Sequence, residues 1–375
     1  MLRSLEVRSL DVIVPSFRVQ KDYILPIINL EKPEGVIVNF YIIVDNPSIS
    51  INTEILDTVN GEDIHLIINK TNLGASLTRN VGIEAGTGEW ILFLDDDIDV
   101  SPDLLYIYKE TVDTYREEIG FIGLVTLPPA ETEFTKATLV SGSVSIFNIA
   151  EATDSYAWGA TANIAIKREA LGPIRFLEEY PKSGGGEDID FFLRIRKRNN
   201  YKNLKTVKRA QVWHPWWNNG KPNFKRPFRY GNGTAFLMHI NPEYTRYDFP
   251  STPEALVFTL VSLVLSLFLF PNWSYFIGIL SIGIVFIEII ASMINLLRKT
   301  KGFSLQMLFY VIAMKFCYDA GILVENLSQG FFKGIFRRFN YSGIPKKDHF
   351  IRLNLYKITK LVLFLILAFV LFNSY

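Results

Sequence analysis

Three adjacent carboxylates, Asp95-Asp96-Asp97, follow directly on the apolar run Trp90-Ile91-Leu92-Phe93-Leu94. Like charges gathered at the end of a buried strand repel one another and persist only where a cation or hydrogen-bond donors neutralise them. A hard divalent ion such as Mg2+ or Mn2+ suits that position, because it takes one or two carboxylates and leaves places for phosphate oxygens and water. A lone triplet reads as a solvated acidic turn or a helix cap. The buried strand before it, and a matching carboxylate, Asp45, at the end of Phe40-Tyr41-Ile42-Ile43-Val44, turn the reading towards a metal and diphosphate site.

A second acidic station, Glu187-Asp188, follows the loop Ser183-Gly184-Gly185-Gly186 and opens an amphipathic helix from about Asp188 to Arg198. Two accounts stand side by side. Acids at a helix start cap it and complement its dipole; alternatively the glycine loop lets two substrates approach closely while Asp188 acts as a general base. Farther on, the strand-like Thr206–Trp213 ends at His214, either a structural histidine or a ligand to metal or phosphate. Lys225, Arg226 and Arg229, beside the Gly231-Asn232-Gly233 turn, suit a leaving diphosphate or anionic lipid, and both can hold.

The elements that must position these groups are short β-rich runs. Leu10–Val14 ends at Pro15-Ser16, Phe40–Val44 at Asp45, Ile64–Ile68 at Asn69, and Trp90–Leu94 at the triplet. Strands joined by helix-length connections are normally parallel, so these ends collect along one carboxyl edge, where open α/β sheets bind ligands. Between them, Asn72-Leu73-Gly74 precedes a helix predicted from Ala75 to about Ala85. Arg79 in its early turns suits an anion.

The 375 residues exceed one ordinary core and predict two parts. A net charge of +1 gives no basis for a nucleic-acid partner. The single Cys317 excludes an internal disulfide and any multi-cysteine zinc site. The charged start, Met1 to Arg8, offers no signal-peptide core, so the first part is expected in the cytoplasm. After Pro253 the composition changes: no residue from Ala255 to Ile287 is charged, and Pro271-Asn272 breaks the run into a membrane hairpin. The expected division is an α/β domain over 1–252 and a membrane domain over 253–375, with spans at about 255–271, 274–297 and 355–373.

Phe303 to Leu327 is apolar enough to span but carries Lys315, Asp319 and Glu325, and it continues into a basic amphipathic run to about Asn340. If it crossed, the basic stretch from Ser328 to Lys360, with Asp348 its only acid, would lie opposite Arg298, Lys299 and Lys301. Positive residues favour the cytoplasm. It is therefore expected to lie along the interface as amphipathic helix, giving three spans, with four as the competitor.

Together, Val12-Ile13-Val14-Pro15-Ser16, Val44-Asp45-Asn46, Asn72 to Gly82, Phe93-Leu94-Asp95-Asp96-Asp97 and Gly186-Glu187-Asp188 resemble the inverting glycosyltransferase family 2. The resemblance covers roughly Leu10 to Gly233 and implies an α/β catalytic domain of the GT-A, Rossmann-like class, followed here by an α-helical membrane domain. It implies a donor site for a nucleotide-diphosphate sugar built from Pro15, Ser16, Asp45, Asn72, Gly74, Arg79, Asp95, Asp96 and Arg229. Asp95, Asp97 and His214 would hold Mg2+ or Mn2+, Asp188 with Glu187 would be catalytic, and Trp158, Gly159 and the run on to Asn163, with Trp216 and Trp217, would line the acceptor side. Processive members carry Gln-X-X-Arg-Trp after the base, whereas this chain has Trp213-His214-Pro215-Trp216-Trp217. The expectation is transfer of one sugar to a lipid-linked or glycan acceptor by a multi-pass cell-membrane enzyme whose catalytic domain faces the cytoplasm among membrane lipids. The alternatives are a processive polysaccharide synthase and a non-catalytic membrane scaffold.

Overall fold

The computed structural model describes residues 9–182, 184–300, 302–345 and 352–373. The segment Met1 to Arg8, Ser183, Lys301 and Asp348 lie outside the described residues. Two compact units are present, one formed by residues 1–129 and 144–219, the other by 130–143 and 220–375.

The first unit is built on a nine-stranded mixed sheet. Its strands are β1 (Ser9–Ser16), β2 (Ile37–Val44), β3 (Ile64–Ile68), β4 (Trp90–Leu94), β5 (Asp99–Val100), β6 (Gly120–Thr126), β7 (Ser155–Tyr156), β8 (Asn163–Lys167) and β9 (Leu204–Trp213). The order is β3-β2-β1-β4-β8-β6-β9-β5, with β7 against β9. The first four are mutually parallel, as their helix-length connections predict. β8 then enters antiparallel between β4 and β6.

Alternation along each strand feeds two cores, since successive side chains leave a strand on opposite faces. Val12, Val14, Phe40, Ile42, Leu92 and Leu94 pack on one face against Ile24 and Ile27 of the Lys21–Ile28 helix. Ile13, Ile43, Ile91 and Phe93 pack on the other with Ile83 of the Ala75–Ala85 helix and Phe191 and Phe192 of the Glu187–Arg198 helix. Gly82 allows the Ala75–Ala85 helix to sit this close, because a Cβ there would lie 2.4 Å from Ile13 Cγ2.

The β6–β9 pairing is interrupted between Gly123 and Leu124, where the register jumps from Val207 to Gln211. Carbonyls stranded by such a bulge need other partners. The fully buried Asn163 supplies them: its amide nitrogen donates to Leu124 O at 3.2 Å and Ala210 O at 2.9 Å, while its oxygen accepts from Tyr108 at 2.7 Å. Asn163 is thus committed to the sheet and does not line a surface.

In the second unit, Glu133–Ser141 packs Ala137 among Leu296, Met307, Leu308 and Met314. Lys225–Ile240 runs parallel to Leu305–Ser328: Phe224 meets Tyr310 at 6.2 Å at one end, and His239 stacks on Phe331 at 3.7 Å at the other. Small residues make the crossing close, since a Cβ on Gly231 would lie 2.1 Å from Tyr318 O and one on Gly321 2.0 Å from Phe228 O. Thr252–Leu269 and Pro271–Lys299 form the expected hairpin, broken at Phe270-Pro271. With Leu305–Ser328 and Leu355–Asn373, four helices among the described residues are long and apolar enough to cross a membrane. Leu305–Ser328, assigned above to the interface, thus meets the same measure of length and apolarity as the three expected spans.

Glu288 is buried within this unit and accepts hydrogen bonds from Thr252 (2.6 Å), Ser292 (3.0 Å), Tyr356 (2.6 Å) and Lys360 (2.8 Å). Lys315 pairs with Asp319 at 2.7 Å, one helical turn away.

Replacing Asn163 by Leu leaves two carbonyls and a tyrosine hydroxyl buried without partners, and is expected to remove about 3 kcal/mol of stability. Thermal unfolding of the purified protein should register a drop of several degrees; an unchanged melting temperature would show that the bulge does not depend on this amide.

Candidate active site

The site lies at the carboxyl edge of β1, β2 and β4, where the three residues of the acidic triplet find three different partners. Asp95 accepts from Arg79 Nη2 at 2.7 Å. Asp96 accepts from the Ser16 hydroxyl at 2.6 Å. Asp97 pairs with Arg18 Nη2 at 2.8 Å through one oxygen and faces His214 Nε2 at 3.3 Å with the other. Burial, the leading cause, pushes the Asp96 carboxyl above its ordinary range, partly offset by the Ser16 hydrogen bond.

His214 is buried and oriented. Its Nδ1 lies 2.6 Å from the Pro215 carbonyl. A carbonyl only accepts, so Nδ1 carries a proton, and in the neutral ring Nε2 presents a lone pair to Asp97. Two acceptors facing one another require a cation or a proton between them. One ligand atom each from Asp95, Asp97 and His214 lies within 4.8 Å of the others. Two carboxylates and one oriented imidazole make a donor set that fits a divalent metal ion.

Asp45 occupies the adjacent strand end, its backbone N–H donating to Ser16 O at 2.7 Å. Its buried carboxylate accepts from Asn69 Nδ2 (2.9 Å), Leu73 N (2.8 Å) and Gly74 N (2.8 Å). It therefore shapes the turn that starts the Ala75–Ala85 helix. Asn72 reinforces the turn by accepting from Gly74 N at 3.0 Å. Gly74 has φ +84°, and a Cβ there would lie 2.7 Å from Lys182 Cα, so only glycine lets Lys182 pack this close.

The three acids at the start of the Glu187–Arg198 helix have different fates. Glu187 accepts from Gly185 N within its own loop. Asp190 pairs with Arg194 at 2.8 Å one turn on. Asp188 turns away from its own helix and accepts from Thr161 N at 3.3 Å and Thr161 Oγ1 at 3.2 Å. The helix has no side-chain cap bond from its N-cap, Gly186. Burial first, then the Glu187 charge, push the Asp188 carboxyl up to about 7, and Arg79 offsets part of this. Of the two accounts open in the sequence, helix capping thus does not describe the contacts of Asp188.

Trp158 and Gly159 lie three and two residues before Thr161, which holds Asp188. Trp217 packs on His214 with ring centroids 4.8 Å apart, and Trp216 donates its indole N–H to Pro128 O at 3.1 Å. Pro15 and Ser16 end β1, and Ser16 carries the bond to Asp96. Arg229 belongs to the second unit, where its guanidinium carbon lies 5.7 Å from the Tyr230 ring. Sequence reading overlooked Arg18 and the bond from Thr161 to Asp188. A basic residue two places after a strand-end serine was the available signal for Arg18; Thr161 lies in the run assigned to the acceptor side, but nothing local marks it as the partner of Asp188.

Residues 11–161 match the family model for glycosyl transferase family 2. An uncharacterized glycosyltransferase of Haemophilus influenzae is 29% identical over 153 residues, covering 37% of this chain and 46% of the relative. The chain thus spans about half the length of that curated relative. Among solved structures, Staphylococcus aureus TarS 1–349 in complex with UDP-GlcNAc aligns with a TM-score of 0.44 at 14% identity, over 86% of this chain and 92% of that one. GalNAc-T7 with UDP, GalNAc and Mn2+ aligns with a TM-score of 0.42 at 14% identity, over 64% and 51%.

The raised Asp188 group sets a pH dependence. Its folded value lies above the ordinary 3.8. From about pH 4 upward the unfolded chain therefore releases this proton while the folded chain retains it, which weakens the fold until about pH 7 and by a constant amount beyond. Asp188→Asn should melt at a higher temperature than the native protein at pH 8, with the gap closing as the pH falls towards 4. Equal melting at both pH values would refute the raised ionisation. The match over residues 11–161, on the mixed α/β sheet that precedes the helical region, makes this part of the chain similar to glycosyl transferase family 2.

Proposed function

We propose that this protein is a membrane-bound, inverting glycosyltransferase that moves one sugar from a nucleotide-diphosphate donor to a membrane-associated acceptor, such as a lipid-linked glycan. The observation that carries the reading is the convergence of Asp95, Asp97 and His214 into one ligand set on the same edge as the partly buried, unusually basic Asp188. A carboxylate with an ionisation near neutrality is suited to accept a proton at physiological pH.

In this reading Asp188 takes the proton of the acceptor hydroxyl as its oxygen attacks the anomeric carbon, and Thr161 aims the carboxylate. Arg79 holds Asp95 in place, and Ser16 holds Asp96. Asp95, Asp97 and His214 would hold Mg2+ or Mn2+, which when bound supplies charge stabilisation for the departing diphosphate. Trp217, against His214, and Trp216 and Trp158 provide aromatic faces suited to a sugar ring.

We place the catalytic unit on the cytoplasmic side, with three spans and Leu305–Ser328 at the interface. Charge bias supports this, and so does the partner of that helix. Lys225–Ile240, packed along it, carries Lys225, Arg226 and Arg229, which hydrocarbon does not accommodate. A reporter fused after Tyr375 should score outside the cytoplasm; a cytoplasmic signal would require the fourth span.

The purified protein with Mn2+ and a panel of nucleotide sugars, read by mass spectrometry, should hydrolyse or transfer at least one of them. Asp188→Asn should lower turnover at least ~100-fold while nucleotide binding persists. A ladder of long products would replace single transfer with processive synthesis, and absence of turnover with every donor would leave a scaffold.

A further inference from the structure

Arg18 stands outside every role assigned above, yet it is placed beside the reacting end of the proposed donor. Ser16 bends the chain to bring it there. The Ser16 hydroxyl donates to Asp96 and accepts from Val19 N at 2.9 Å, and Val19 takes a φ of +46°, a conformation a β-branched residue rarely adopts. This tight reversal directs Arg18 back over the triplet, 2.8 Å from Asp97 Oδ2 and 3.6 Å from Asp96 Oδ1.

Asp97 therefore has two sides. Its Oδ1 faces His214 within the metal-ligand set, and its Oδ2 faces the guanidinium of Arg18. A diphosphate held at the first side would need its remaining negative charge met by a further cation, and Arg18 is the cation beside Asp97 on the second. The other arginine of the triplet, Arg79, is buried and held by Asp95, whereas the Arg18 side chain is 52% exposed and donates only through Nη2. Its planar fork keeps Nε and Nη1 for a further anion, the geometry in which arginine grips phosphate.

We propose that Arg18 is a donor-binding residue that clamps the diphosphate of the nucleotide sugar from the side opposite the metal ligands, with Asp97 as its hinge. This rests on the nucleotide-sugar reading above. A rival role is that of counter-ion to Asp97 alone, which would act on metal affinity and leave phosphate recognition untouched.

Isothermal titration of the full-length protein with a panel of nucleosides and nucleoside diphosphates, in Mn2+, separates the two. A parallel titration with Mn2+ alone, followed by the electron paramagnetic resonance of the free ion, reports on the metal set. In Arg18→Gln the affinity for the preferred nucleoside diphosphate should fall ~10-fold relative to that for its nucleoside. Arg18→Lys, which keeps the charge and loses the fork, should recover part of the loss and guards against a folding defect in the first variant. An unchanged ratio of the two affinities in Arg18→Gln overturns the proposal, whether or not Mn2+ binding moves. If the native protein binds no nucleoside diphosphate with Mn2+, the donor reading itself fails, and this inference fails with it.

Discussion

Mutual repulsion among neighbouring carboxylates is the constraint that organises the first unit. Asp95, Asp96 and Asp97 are consecutive, so the turn of the backbone points them in different directions. Each has its own partner: Asp95 the Arg79 guanidinium from the Ala75–Ala85 helix, Asp96 the Ser16 hydroxyl from the end of β1, and Asp97 the Arg18 guanidinium from the loop that follows, with His214 facing its other oxygen. Removing charge from water costs several kcal/mol per ion unless such partners are held in place. The acidic edge is therefore stable only if the sheet brings three remote segments (the end of β1 with its loop, the Ala75–Ala85 helix and the turn after β9) to one strand end, and the same convergence creates a metal-ligand set.

The surrounding polar groups keep that edge rigid. Asp45 fastens the Asn72–Gly74 turn by two hydrogen bonds and Asn69 by a third, which sets the helix that carries Arg79. Gly74 in turn lets Lys182 approach, in the chain that leads into Asp188. On the opposite side of the sheet order, Asn163 repairs the irregular pairing of β6 with β9, the strand that delivers His214. Asp11, at the other end of β1, is buried and bound by Gly88 N at 2.6 Å and by Arg168 at 2.6 Å. Its role is to anchor the start of β1 and the chain leading into β4, so one strand carries a structural carboxylate at one end and the Ser16 bond to Asp96 at the other.

The second unit uses the same chemistry in an apolar setting. Glu288 has four side-chain donors from three separate helical segments, and these bonds give the helices a specific register that apolar packing alone would leave loose. Gly231 and Gly321 bring Lys225–Ile240 and Leu305–Ser328 into backbone contact, so this pair is locked by shape.

Much of this architecture was legible in the residues themselves. Ile64–Ile68, Trp90–Leu94 and the Ala75–Ala85 helix occur at the predicted bounds, and the apolar hairpin after Pro253 forms as expected, because periodicity and turn chemistry act locally. The acidic triplet and Asp188 also stood out, since their residue types conflict with a buried position unless chemistry or partners justify them. Local pattern could not show that Asp188 abandons its own helix for Thr161, that Asp45 spends its carboxylate on a turn, or that Glu133–Ser141 packs with Leu305–Ser328. Nor could it show that Arg18 reaches across to Asp97. Those outcomes depend on which distant groups the folded backbone places within hydrogen-bond range, a property of three-dimensional proximity that spacing along the chain does not encode.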